Sequence, residues 1–475
     1  LHPRVRRQRQ MCIRDRWKAP REDFWRLCLP LFGGMTIALA CYVILPTGLN
    51  LRPCYVPGTD IFARAVRFLY STDTPINVCP SIHVFNSVTL MLAYHRCRIF
   101  EQPRFRWMRP AADVLCISIV CSTMLLKQHS CIDVVLGALR AGKNVVTANK
   151  ALMATHGEEV MRTAEEAGKE IAFEASVGGG IPIIDPMKHS LIANRIDSVM
   201  GIVNGTTNYM LTRMGEDGLS YDEALAEAQA KGFAEADPTA DVDGHDAAAK
   251  IAILASIAFN SRVVMDDVYT EGIRRISPVD LAMADTMGYA VKLVAHAHRT
   301  DHGIDVRVHP TMIPLDHQLA KVNGVYNAIY VIGDAVGETM FFGEGAGAGP
   351  AASAVMGDVL EVARHLQLGV KPIVGCTCTD NIPVISVEEL QTKYYLRFLV
   401  EDRAGVLAAC ADIFAKYDVS LQSVQQRGTK ARDAVNLVFV THTAHEDSVA
   451  KVIDEILALP NAVIGGYPSV IRVQD

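Results

Sequence analysis

The sequence predicts a chain of mixed α/β and α+β class, preceded by an α-helical, membrane-like fragment. Three observations carry this. Short apolar strands alternate with helical periods from residue 138 onward, the texture of βαβ units. Residues 393–475 run strand, helix, strand, strand, helix, strand, the order of a ferredoxin-like βαββαβ plait. The composition also breaks near residue 137: nine of the twelve cysteines and all three tryptophans (Trp17, Trp25, Trp107) lie before it, and the text beyond is rich in Ala, Gly, Asp and Glu.

At 475 residues the chain is long enough for several domains with substantial cores. A net charge of -6 argues against a nucleic-acid partner. Only Cys376, Cys378 and Cys410 remain beyond residue 137, with no C-x-x-C metal pattern, so the later segment reads as a reduced, cytoplasmic enzyme. No secretory signal with a clear cleavage site is evident.

Residues 1–16 are basic, and the string Gln10-Met11-Cys12-Ile13-Arg14-Asp15-Arg16 resembles translated sequencing-adapter sequence. They are expected to be an artefactual tail whose Arg cluster carries no function. Within 17–137 the apolar runs 27–49, 76–94 and 111–126 are membrane-span candidates. Polar groups stand at their ends: Arg52-Pro53, Pro80-Ser81-Ile82-His83, and Ser122-Thr123 followed by His129 and Asp133. A histidine with an Asp four residues later can be an oriented nucleophile, a second histidine an acid, and an arginine a phosphate holder. This pattern resembles the type-2 phosphatidic acid phosphatase family. The resemblance implies His129 as nucleophile, Asp133 as its orienter, His83 as acid and Arg52 on phosphate. Leu45 stands at the family's lysine position and Thr123 at an arginine position. A membrane would be met only through residues 27–137.

From residue 138 the elements follow in order. Gly142 to Lys150 reads as a short strand ending in a polar turn, then a helix over 151–167 and a second strand over Ile171–Glu174. Gly178-Gly179-Gly180 follows. Asn204-Gly205-Thr206-Thr207 reads as a polar turn capping a helix, a place for substrate hydrogen bonds. The stretch 231–250 sets Glu235 in a Pro-marked loop, and Asp246 and Lys250 four apart at the start of an Ala-rich helix. That spacing puts the last two on one helix face, able to bind a small polar substrate and move a proton. Gly343 to Pro350 is a Gly-rich turn before a helix over 351–365, which lets backbone N–H groups approach phosphate. His245, His296, His298 and His309 show no metal spacing and read as structural or surface residues.

Taken in order, TANKALMATHG, EASVGGGIPI, GIVNGTTNYMLT, GFAEADPTADVDGHDAAAK, EGI and GEGAGAGPAASAV resemble the homoserine dehydrogenase family across residues 138–365. Ala351 departs from it, where the family usually has Thr. The resemblance implies a Rossmann-like nucleotide domain surviving only in part (138–173, with 342–365), an α+β substrate domain (174–341) and a linker (366–392). It implies reversible NAD- or NADP-dependent reduction of aspartate semialdehyde to homoserine, in the supply of threonine, methionine and isoleucine. Lys250 would be the proton donor, Asp246 its orienter or a substrate contact, and Glu235 the carboxylate on the substrate's α-ammonium. Asn204 and Thr206 are further substrate-binding candidates. Lys150 would lie near both cofactor and substrate, and Gly232, Gly345 and Gly347 would contact cofactor. Glu174, Val177, Gly179 and Ile181 would hold a monovalent cation, sodium, with the all-oxygen set that hard cations take.

Two features complete the reading. No G-x-G occurs before residue 138, so the pyrophosphate-binding turn of a dinucleotide domain is missing and weak or absent activity is expected. Residues 393–475, opening Glu401-Asp402-Arg403-Ala404-Gly405-Val406-Leu407, resemble the ACT domain. That resemblance implies an effector, threonine, at Asp402 and Gly405, and a homo-oligomer, dimer or tetramer. The competing functions are a membrane lipid-phosphate phosphatase in the N-terminal part, and an amino-acid sensor in which only the ACT module works.

Overall fold

The computed structural model describes residues 131–370, 375–427, 434–459, 463–464 and 466–474, with Trp107, Pro110, Asp113, Val114 and Cys116 ahead of them. The chain divides into two units, residues 1–141 and 142–475. In the first, helix α1 (Cys131–Arg140) carries Asp133 in its first turn. The N-terminal tail and the apolar runs 27–49 and 76–94 lie outside the described residues, as does nearly all of 111–126. Among the described residues no helix is long and apolar enough to cross a membrane.

The second unit opens with β1 (Val145–Val146), α2 (Lys150–Glu166) and β2 (Ile171–Ala172). The two strands pair in parallel, Val145 with Ile171 and Val146 with Ala172. Asn149 starts α2 by accepting the Leu152 N–H at 3.0 Å, the N-cap role of a short amide. The expected strand over Ile171–Glu174 stops at Ala172. Glu174 instead opens a 3-10 turn, Glu174–Ser176, because its carboxylate is drawn inward by three backbone N–H groups described below.

The body follows: β3 (Ile196–Ile202), α3 (Gly205–Glu216), α4 (Tyr221–Ala230), α5 (Thr239–Val242), α6 (His245–Ala258), β4 (Tyr269–Thr270), α7 (Pro278–Thr286), β5 (Tyr289–Arg299), β6 (Ile304–Pro314), β7 (Tyr326–Gly333) and β8 (Gly337–Glu344). α6 is buried along most of its length. Its alanines let it lie close against α2, β3, β5 and β6, and burial on all sides suits an apolar helix. Gly244 caps it at φ 87, where an added Cβ would meet Thr270 at 3.0 Å, so the left-handed turn needs glycine on both counts.

α8 (Ala348–Leu368) then returns against the turn after β2 and against β1 and β2 themselves. It exceeds the expected 351–365, so the first three residues of the expected linker are helical. Pro350 is tolerated because it sits in the first turn, and Gly369 ends the helix in the left-handed region. Met356, Leu360, Leu366 and Leu368 on α8 stay exposed.

The C-terminal module contains β9 (Gln391–Val400), α9 (Val406–Lys416), β10 (Leu421–Arg427), β11 (Val435–Thr441), β12 (Ala444–His445), α10 (Glu446–Leu457) and β13 (Ser469–Val473). Strand order β10-β11-β9-β13 with antiparallel neighbours is the expected plait. Its core joins Phe398, Phe414 and Phe439 to Val452 and Ile456.

The plait and the body share one eleven-stranded sheet, running β10-β11-β9-β13-β6-β5-β3-β7-β8 with β12 and β4 at its side. The join is parallel pairing of β13 with β6, Arg472 with Thr311 and Val473 with Met312.

Candidate active site

The loops and helix starts above β3, β7 and β8 line an open cleft of about 750 Å3. Lys150, Asn204, Thr206, Gly232, Glu235, Asp246, Lys250, Gly345 and Gly347 line it, together with Gly179. Nine of these are the substrate, catalytic and cofactor candidates read from the sequence, gathered from five separate stretches.

The centre is Asp246, in the first turn of α6. Its Oδ2 accepts from Lys250 Nζ at 2.7 Å and from Asn204 Nδ2 at 2.9 Å, and its Oδ1 accepts from Lys150 Nζ. Burial by itself would raise the Asp246 carboxyl. The charges of Lys250 and Lys150 and their hydrogen bonds overcome that and hold it well below the usual carboxylate range. Asp246 is therefore an anion that fixes two ammonium groups.

Lys250 is buried and also donates to the Val203 carbonyl at 2.6 Å. An ammonium has three N–H donors, so two are spent inside the chain and one is left for the cleft. Lys150, the first residue of α2, is placed there by the Asn149 cap, and its side chain is 43% exposed. The three charges thus run from a buried Lys250 through Asp246 to a solvent-facing Lys150.

Asn204 lies in the cleft wall. Its Nδ2 donates to Asp241 Oδ1 at 2.7 Å and to Asp246, while its Oδ1 caps α3 by accepting the Thr207 N–H at 2.9 Å. Every polar atom of its amide is engaged within the chain, so it positions Asp246. Thr206 likewise donates to the Phe233 carbonyl at 2.6 Å and ties the 231–235 loop to α3. Glu235 is exposed at the rim, and among the described residues no group bonds to its carboxylate.

Asp241, Lys231 and Asn327 were missed in the sequence. Asp241 lies within the 231–250 stretch and is raised by burial, with the Asn204 hydrogen bond opposing. Lys231 donates to Tyr209 Oη and to Glu227 Oε1, both at 2.6 Å. Asn327 is buried on β7, and its Oδ1 has no partner among the described residues. Nothing local to β7 marks it. The signal is in Gly345, where an added Cβ would lie 1.8 Å from Asn327 Nδ2. Only glycine lets the 343–347 turn pass so close. Gly347, in the cleft wall, then caps α8 with no side-chain cap bond.

The expected cation ligands are split in character. Glu174 Oε1 accepts from Ile183 N–H at 2.6 Å and Ile184 N–H at 2.9 Å, and Oε2 from Asp185 N–H at 2.7 Å. Burial raises its carboxyl and these three donors oppose the rise. Val177 and Ile181 are buried beside it, and Gly179 reaches the cleft wall. Among the described residues no cluster of His, Cys, Asp and Glu suits a metal ion. The effector candidates meet at one turn: Asp402 accepts from Gln426 Nε2 at 3.1 Å, and Gly405 caps α9 at φ 95. Of the phosphatase candidates, Arg52, His83 and His129 lie outside the described residues, and Asp133 is in α1.

Three family profiles match the chain: homoserine dehydrogenase over residues 182–360, the ACT domain over 394–461, and the homoserine dehydrogenase NAD binding domain over 127–174. The last begins inside the segment read as membrane-like and includes His129 and Asp133. Homoserine dehydrogenase of Corynebacterium glutamicum is 47% identical over 347 residues, 72% of this chain and 77% of that protein. The Synechocystis enzyme is 46% identical over 72% of this chain and 80% of its own length. The crystal structure of a homoserine dehydrogenase from Thiobacillus denitrificans superposes with a TM-score of 0.67 at 40% identity, covering 72% of this chain and 78% of that one. The chain belongs to the homoserine dehydrogenase family, NAD(P)-dependent oxidoreductases, and carries an ACT domain.

Proposed function

We propose that the cleft reduces the aldehyde of aspartate 4-semialdehyde reversibly to homoserine, with Lys250 as the proton donor. The single observation that carries this is the buried Lys250, which lines the cleft with its ammonium held by only Asp246 and the Val203 carbonyl, so that one of its three donors is free for substrate. A nicotinamide cofactor, NAD or NADP, supplies the hydride when bound. In that direction the carbonyl oxygen accepts from Lys250, and charge developing on it is met by the ammonium, which then releases a proton to it. Asp246 keeps Lys250 aimed, and Lys150 offers a route by which the proton is restored from solvent. Glu235 at the rim takes the substrate's α-ammonium.

The residues that would hold the cofactor are Lys150, Gly232, Gly345 and Gly347. The fit rests on the orphaned Asn327 Oδ1, the lack of room for a Cβ at Gly345 and the uncapped start of α8. These serve one end of a dinucleotide.

Sodium at Glu174 with the carbonyls of Val177, Gly179 and Ile181 belongs to the same proposal, as do threonine at Asp402 and Gly405 and a homo-oligomeric state. The Glu174 carboxylate keeps acceptor capacity on Oε2, which takes one donor where Oε1 takes two.

The test is homoserine oxidation with NAD and NADP, each raised to saturation. Lys250→Met should lower kcat by roughly 100- to 10,000-fold, the range for loss of a positioned acid, with homoserine KM little changed. Glu235→Gln should instead raise homoserine KM. A Lys250→Met chain that keeps its kcat would sink the assignment.

A further inference from the structure

A second cavity lies further along α2 and α6 from the catalytic cleft, lined by Met153, Met161, Phe173, Ile253, Lys188 and the segment 375–378. That segment is docked. The Cys376 N–H donates to Glu165 Oε1 at 2.7 Å, and a Cβ on Gly375 would meet the same oxygen at 2.5 Å. Asp380 N–H reaches the Asn260 carbonyl at 2.8 Å, and Ile382 N–H reaches Ser261 Oγ at 2.9 Å.

Two thiols therefore stand at fixed positions, two residues apart, and both line the cavity. The Cys378 thiol donates to the Ser256 carbonyl at 3.9 Å. Lys188 points its ammonium into the same cavity, over the Phe173 ring at 5.6 Å. Among the described residues no carboxylate is within ion-pair distance of it. Burial lowers the Lys188 ammonium, and the foremost charge opposing this is Cys376. An ammonium of that kind is completed by a thiolate.

We propose that Cys376 and Cys378 form a redox-active dithiol site, converted to a disulfide within the segment by small-molecule disulfides of the glutathione class. The Cys376 thiolate attacks one sulfur of the small disulfide and expels one thiolate. Cys378 loses its proton and attacks the Cys376 sulfur, expelling the second. Two protein thiols and one small disulfide become one protein disulfide and two small thiols, so electrons and protons balance. The order of attack follows from the environment. The neighbouring Cys378 holds the Cys376 thiol below its ordinary range, against burial and Glu165, with Lys188 assisting. Cys378 is pushed up by Cys376 beside it and by burial, with Glu158 adding to the rise. The attacking and resolving roles are thereby assigned.

The experiment is peptide-resolved mass spectrometry of the full chain equilibrated in reduced and oxidised glutathione, since twelve cysteines are present. The peptide holding residues 376 and 378 should lose two hydrogens as the buffer becomes oxidising. Cys378→Ser should arrest the reaction as a glutathione adduct on Cys376. Iodoacetamide should alkylate Cys376 with a midpoint below the ordinary thiol value of about 8.5, and Lys188→Met should slow that reaction several-fold at pH 7. Failure of the disulfide to form at any glutathione ratio would overturn the proposal. So would alkylation of both thiols with ordinary midpoints near 8.5.

Discussion

Asp246 shows how one carboxylate organises a site: its two oxygens hold two ammonium groups and an amide. Asp358 on α8 is the opposite case. Its Oδ2 accepts the Glu174 N–H at 3.0 Å, yet burial and the neighbouring Glu174 charge push its carboxyl up to about 6. In an unfolded chain an aspartate titrates near 3.9. The folded state therefore binds this proton more tightly. The benefit is complete below about pH 4, declines as pH rises to about 6, and is gone above. Asn can still accept the Glu174 N–H but carries no charge. Asp358→Asn should raise stability at pH 7.5 by roughly 1–2 kcal/mol and change it little at pH 4, as thermal unfolding at the two pH values will show. An equal gain at both would mean that ionisation is not the cause. The pair Asp246 and Lys250 was legible in the sequence because a helix converts a spacing of four into proximity. Lys150, 96 residues from Asp246, was placed only by resemblance, since no local pattern encodes a contact across two elements.

At the scale of elements, capping was the most readable feature. Asn149 and Asn204 start α2 and α3 as short polar side chains before helical runs do, and each cap delivers a cleft residue. The plait was readable too, because alternation and helical period change at every boundary. Glu174 was not. A carboxylate that ends a strand to gather three N–H groups from residues 183–185 is a tertiary event that no window of sequence contains. The 343–347 turn lies between these cases: its glycines were visible, their cause was not. The cause is Asn327 on β7, which fills the space a Cβ at Gly345 would need. Gly345→Ala should force the turn away from β7 and widen the cleft floor. Cofactor KM should rise at least tenfold while homoserine KM at saturating cofactor moves less. The double variant Gly345→Ala with Asn327→Ala should recover part of the loss, because the clash is then relieved. An unaltered cofactor KM in the single variant would dismiss the turn as a cofactor surface.

Across the whole second unit, the plait and the body are joined by a two-residue strand pairing, too small to couple them by itself. Buried charge does more. Asp280 on α7 of the body is wholly buried and takes Arg397 of the plait at 2.6 and 3.0 Å, with the Tyr395 hydroxyl at 3.1 Å. Arg472 on β13, also buried, donates to Glu446 within the plait at 2.6 Å and to Glu271 of the body at 2.9 Å. Such pairs are weak evidence for net stability, because desolvation offsets attraction. Their removal by halves is costly, since the remaining charge has no solvent to turn to. Arg397→Met leaves Asp280 buried, with only the Ser277 and Tyr395 donors, and should cost about 3–5 kcal/mol. The loss should fall on the joint, so proteolysis within 375–390 should accelerate and the plait should unfold ahead of the body. Adding Asp280→Asn should restore part of the stability by removing the orphaned charge. A single variant that unfolds within about 0.5 kcal/mol of the parent, the range of ordinary surface changes, would show that the sheet alone holds the two together.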